Sequence, residues 1–119
     1  MKKLKQTPLR RYKQGKGKAK RRGVAFTLSY KKYLTKLKQG CFYCGADTLN
    51  QSSGIGLDRL NPRYGYTDKN TTACCGPCNT LKSNQLTAEE TKMVVDFIRS
   101  IRYIKDNKPV WKNTWKRSK

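Results

Sequence analysis

At 119 residues the chain suits one small domain, and 35% hydrophobic residues leave it a core thin enough to need help from a metal or cross-links. Its 28 Lys and Arg against 7 acidic residues give a formal net charge of +21, an imbalance that opposes compaction and calls for a polyanionic partner. No apolar run reaches membrane-spanning length and no signal-peptide core is seen, so an intracellular protein is expected, in which five cysteines point to metal rather than disulfides. The charge is also uneven along the chain: no acid precedes Asp47, while fifteen Lys and Arg do. Nucleic acid is the expected partner, because each cation placed on a phosphate releases condensed counterions. A membrane surface fits poorly, since residues 1–22 offer only Met1, Leu4, Leu9, Tyr12 and Ala19 as apolar contacts. The expected location is intracellular, cytoplasmic or nucleoid-associated, with an organelle address left open.

Residues 1–22 read as a basic nucleic-acid-binding arm, disordered or only loosely helical when free. Lys16, Lys18, Lys20, Arg21 and Arg22 alternate there with Gly15, Gly17 and Gly23. Phe26-Thr27-Leu28 predicts a short extended piece. Ser29 then caps a helix running to about Gln39, with Tyr30, Tyr33, Leu34 and Leu37 on one face and Gly40 at its end. After the region 41–82, Thr87-Ala88-Glu89-Glu90 forms a capping box. The helix that it opens carries Met93, Val94, Phe97, Ile98, Ile101 and Ile104 at helical spacing, a stripe expected to face the core, and should end near 106–107. Residues 108–119 form a second basic tail, where Trp111 and Trp115 suit packing on the domain and stacking on bases equally well. The division is thus an arm at 1–22, a domain at 23–107 and a tail at 108–119.

Cys41-Phe42-Tyr43-Cys44 and Cys75-Gly76-Pro77-Cys78 are two CxxC pairs separated by thirty residues. Each is a knuckle able to aim two thiolates at one ion, and together they complete the four-sulfur shell that structural Zn²⁺ prefers. Such a shell is closed, so this metal holds the fold and does no chemistry. Cys74 fits the knuckle spacing less well than Cys75 and is expected to be a small buried residue. Cys-Gly-Pro-Cys is also a redox motif of thioredoxin-like proteins, but that reading leaves the first pair unexplained. A plain zinc ribbon stays open on the cysteines alone.

The residues between the knuckles narrow the choice. Leu57-Asp58-Arg59, Gly65-Tyr66, Asn70, Cys75 to Asn79 and Lys82 follow the first CxxC-Gly in order. This series resembles the zinc-framed branch of the HNH (ββα-metal) endonucleases, and more narrowly a compact restriction enzyme of that branch, over about 41–87. The resemblance implies an α+β fold: a small zinc-stabilised ββα-metal core with flanking helices and basic terminal arms. It further implies a catalytic Mg²⁺ or Mn²⁺ held by Asp58 and Asn79, an oxygen site distinct from the sulfur site.

One position departs from the family pattern. Most HNH enzymes place a His at 59 to take the proton of the attacking water, and this chain contains no His. Arg59 stays protonated and serves instead as a phosphate clamp. The resemblance moves the activating role to Tyr66, with Asn70 orienting neighbouring groups; Lys82 joins the basic residues as a nucleic-acid contact. Two functions follow. One is a metal-dependent endonuclease hydrolysing phosphodiester bonds in DNA, with a homodimer as one form it takes. The other is a non-catalytic zinc-stabilised DNA- or RNA-binding protein, or a subunit of a ribonucleoprotein particle.

Overall fold

A computed structural model describes residues 6–51 and 54–112. In chain order these form α1 (Pro8–Arg21), α2 (Tyr30–Gln39), β1 (Leu57–Arg59), β2 (Thr71–Ala73), α3 (Gly76–Lys82) and α4 (Ala88–Ile101). The two strands pair antiparallel with Asp58 opposite Thr72, and α3 follows β2 almost directly. This strand–strand–helix unit is the centre of the molecule. Helix α2 packs on β2 and against α1, while α4 packs on α3.

Pro8–Arg21 of the N-terminal arm form a helix. Thr7 accepts from the Arg10 amide at 3.2 Å and Pro8 opens the first turn, a start signal that the sequence reading passed over. Gly15 and Gly17 each cost a free helix about 1 kcal/mol, so tertiary contacts must hold α1. Arg11 supplies them. It is 1% exposed, and its guanidinium donates to the Gly54, Leu49 and Thr48 carbonyls at 2.7, 2.9 and 3.0 Å and to Gln51 Oε1 at 3.2 Å. Gly15 allows the close approach: a Cβ there would lie 2.2 Å from Ile55 Cδ1.

Helix α2 begins at Ser29 and ends at Gly40 (φ 85°), as the sequence predicts, and buries Tyr33 and Leu37. These pack with Leu28 and Leu57, joined by Tyr12, Phe26, Ile55 and Tyr66. Phe26 forms a single bridge to Tyr66. A second cluster surrounds the cysteines, with Tyr43, Ala46, Val95 and Val110.

Helix α4 has its capping box, but its inner face is not the predicted stripe. Thr91, Val95 and Arg99 are buried, whereas Met93, Phe97 and Ile101 are 65%, 64% and 56% exposed. The reason is Arg99, whose guanidinium donates to the carbonyls of Cys44 at 2.8 Å, of Lys108 at 2.8 Å and of Lys105. Burying that side chain turns the helix so that Met93, Phe97 and Ile101 of the stripe face outward, while Ile98 still packs on the core. The helix also stops at Ile101, earlier than 106–107, and Tyr103 (φ 54°) redirects the chain. The tail then folds back: Val110 is fully buried and Trp111 packs on the cysteine cluster. Trp115 lies outside the described residues.

Candidate metal centre and active site

The two knuckles meet as their spacing requires. Cys41 and Cys44 lie in the turn after α2, Cys75 caps α3 and Cys78 sits in its first turn. All four are buried, and their sulfurs lie within 4.8 Å of one another. Zn–S bonds of about 2.3 Å in a tetrahedron put sulfurs about 3.8 Å apart, so the four are positioned to bind a metal ion and fit zinc. Their mutual hydrogen bonds pull the Cys41 thiol well below its usual range, Cys44 contributing most. Trp111 donates its Nε1–H to Cys78 Sγ at 3.1 Å. Cys74 is buried beside the group and outside it; a hydrogen bond with Cys41, then burial, pushes its thiol up.

Next to this frame, Asp58, Arg59, Tyr66, Asn79 and Lys82 line one hollow of about 180 Å³. Asp58 comes from β1 and is 8% exposed. Its Oδ2 accepts from the Tyr43 hydroxyl at 2.6 Å and its Oδ1 from Lys82 Nζ at 3.2 Å. Burial, then the bond to Asp58, pushes the Tyr43 phenol far up, so Tyr43 remains a donor. Tyr43 gives no sign of this role in the sequence, since a residue between two cysteines of a knuckle carries no periodic signal. Asn79 projects from α3 and is exposed.

Two of the expected site residues already have partners. Lys82, expected as a surface contact to nucleic acid, is 4% exposed and donates to Asp58 and to the Arg59 carbonyl at 3.2 Å each. It reaches a phosphate only by leaving that pair. Arg59 Nη1 donates to the Pro62 and Tyr64 carbonyls at 3.1 Å each, while the guanidinium carbon sits 5.3 Å from the centre of the Tyr66 ring. Arg59 therefore fastens the hairpin loop with one edge and faces the hollow as well. Tyr66 packs on Phe26, ring centres 5.2 Å apart. Asn70 stands just before β2 rather than within it, and its amide donates to the Asn61 and Gly65 carbonyls at 3.0 and 2.9 Å. It braces the loop and does not line the hollow.

No family profile matches the chain. Among solved structures, the rare-cutting HNH restriction endonuclease PacI superposes with a TM-score of 0.65, 22% identity and 82% of each chain covered. The chain has the HNH fold. Strands β1 and β2 with α3 are its ββα unit, and the four-cysteine cluster suits its zinc-framed form. A curated relative, the uncharacterized protein R423 of Acanthamoeba polyphaga mimivirus, is 33% identical over 73 residues, 61% of this chain. The match spans only 14% of that protein's length. Among the described residues no helix is long and apolar enough to cross a membrane.

Proposed function

We propose that this protein is a divalent-metal-dependent endonuclease that hydrolyses phosphodiester bonds in DNA. The observation that supports it best is the convergence of Asp58, Arg59, Tyr66, Asn79 and Lys82 on one hollow of the ββα core. Asp58 and Asn79 would hold Mg²⁺ or Mn²⁺. Their donors are hard oxygens, and a carboxylate that accepts one hydrogen bond on each oxygen keeps lone pairs for a cation. When bound, the ion supplies positive charge against the charge that develops on the phosphate. Arg59 holds a non-bridging phosphate oxygen with the edge turned from the hairpin loop. Tyr66 takes the activating role toward the attacking water. Tyr43 and Lys82 fix the Asp58 carboxylate, and Asn70 fixes the loop. Exposed Lys16, Lys18, Lys20, Arg21 and Arg22 contact the DNA backbone.

The test is incubation of the purified chain with plasmid, single-stranded and branched DNA, with Mg²⁺, Mn²⁺ or neither. Asp58→Ala and Asn79→Ala should abolish cleavage while zinc content persists. Arg59→Ala should lose about 10²–10³ in rate, as for other donors to a developing charge. Tyr66→Phe decides its role: a loss like that of Asp58→Ala supports proton transfer, and normal activity returns Tyr66 to packing. No metal-dependent cleavage of any of these substrates overturns the nuclease.

A second reading is favoured by the ties that Lys82 and Arg59 already make. With Asp58 neutralised by Lys82 and no His present, the core also suits a zinc-stabilised DNA- or RNA-binding protein or ribonucleoprotein subunit. A homodimer is proposed through α4, the only one of the four described helices that carries acidic residues and the one with an exposed apolar stripe. A second copy meets the least repulsion there. Light scattering should give twice the chain mass, and Phe97→Lys should return it to one chain; a monomer at every concentration overturns this.

A further inference from the structure

Helix α1 has two basic faces, and only one of them leads to the Asp58 hollow. Gln14, Lys18 and Arg22 follow one another at four-residue spacing and, with Gly15, Ile55 and Tyr66, line a hollow of about 170 Å³. Ile55 and Tyr66 also line the hollow that contains Asp58 and Asn79. The two hollows therefore form one trough, basic at the α1 end, with Tyr66 at the joint. Lys13, Lys16 and Lys20 border a different hollow, floored by Val24 and Phe26, which shares no residue with the Asp58 hollow.

We propose that the Gln14–Lys18–Arg22 face of α1 binds the backbone of a DNA strand and leads it across Tyr66 to the Asp58–Asn79 hollow, with the Lys13–Lys16–Lys20 face outside that path. The inference rests on DNA as the partner and not on cleavage. Residues four apart on a helix are about 6 Å apart along its axis, close to the separation of successive phosphates on a strand. Lys18 and Arg22 thus meet neighbouring phosphates, while Gln14 offers a neutral hydrogen-bonding contact. The face is held in place before DNA arrives. Arg11 ties α1 to the Thr48–Gly54 loop through four acceptors, and Gly15 seats the helix directly on Ile55. A cation on a fixed helix loses less freedom on binding than one on a free arm. The other face contacts the DNA backbone away from that path, because its hollow, floored by Val24 and Phe26, shares no residue with the Asp58 hollow.

The test compares two variants of the full zinc-loaded chain that lose the same charge, Lys18→Ala/Arg22→Ala and Lys13→Ala/Lys20→Ala. Affinity for a fluorescent duplex DNA is measured by anisotropy over a salt series with no Mg²⁺ or Mn²⁺ added. The first pair should flatten the log–log salt slope by about 1.8, at about 0.9 per phosphate contact, and the second by less than half of that. Gly15→Leu keeps every charge but lifts α1 from Ile55; it should weaken binding at least several-fold while circular dichroism and zinc content stay normal. Equal slope changes for the two pairs, or normal binding by Gly15→Leu, overturn the inference. So does a loss by the first pair that appears only on duplex RNA. A wild-type chain that binds no DNA overturns the DNA reading itself, whereas absent cleavage leaves this test intact.

Discussion

Asp58 shows how much of the site depends on single residues. A carboxylate that is 8% exposed is tolerated only when its charge is matched, and Lys82 on one oxygen and Tyr43 on the other provide the match. Lys82→Ala leaves that charge buried and unpaired, which should destabilise the fold by about 3–5 kcal/mol in urea unfolding. Adding Asp58→Ala should recover a large part of the loss, so single costs that simply add would show that the pair is not coupled. Tyr43→Phe removes one donor and should cost about 1–3 kcal/mol. That Asp58 and Asn79 share one hollow and the four cysteines one cluster was legible in the sequence, because their order and spacing follow the ββα pattern. The burial of Lys82 was not legible: lysines are almost always exposed, and only the fold shows that this one faces a buried carboxylate. Arg59 and Tyr66 line the same hollow, but their ties to the hairpin loop and to Phe26 were not legible.

Among the elements, α2 and the start of α4 follow local signals, a Ser cap with a terminal Gly and a capping box, so sequence placed them well. The inner face of α4 was not legible, because hydropathy favours Met93, Phe97 and Ile101 while the decisive contact is a buried arginine reaching distant carbonyls. The two faces therefore answer oppositely to substitution. Val95→Ala should cost about 2 kcal/mol in denaturant, from two lost methyl groups plus the cavity, whereas Phe97→Ser should shift the stability of the single chain by no more than about 0.5 kcal/mol. A larger cost for Phe97→Ser would restore the predicted stripe to the core. Helix α2 also carries a pH-dependent anchor. Tyr33 is fully buried, its hydroxyl donates to the Ile55 carbonyl at 2.7 Å, and burial pushes its phenol up to about 12 from 10.0, against a smaller opposing pull from Arg11. The folded state keeps the proton more tightly than the unfolded chain, so this contribution is complete below pH 10 and is lost as pH rises toward 12. Tyr33→Phe should flatten the fall in stability over that window; an unchanged slope would place the alkaline loss elsewhere.

For the whole molecule, the net charge of +21 works against every contact described, and no single apolar cluster is large enough to answer it alone. The cysteine cluster is where distant parts of the chain converge: the turn after α2, the start of α3, the inner face of α4 and the returning tail at Val110 and Trp111. Four sulfurs this close would repel one another as thiolates without a cation, so metal binding and folding should be one event. The purified protein should hold one zinc, and a strong chelator should unfold it cooperatively, since structural zinc binding contributes about 10–16 kcal/mol at neutral pH. Cys78→Ser should abolish zinc retention and the folded state together. Cys74→Ser should leave zinc at one per chain, because that thiol lies outside the four-sulfur group. Trp111→Phe is the finer probe. Its indole N–H meets a ligand sulfur, and losing such a support to a metal ligand typically costs about 10–100-fold in metal affinity with stoichiometry intact. Competition against a zinc-binding dye reads that affinity directly. A metal-free chain with a sharp thermal transition at the same temperature as the zinc-loaded protein would show that the two apolar clusters suffice, and the zinc frame would lose its place in the fold.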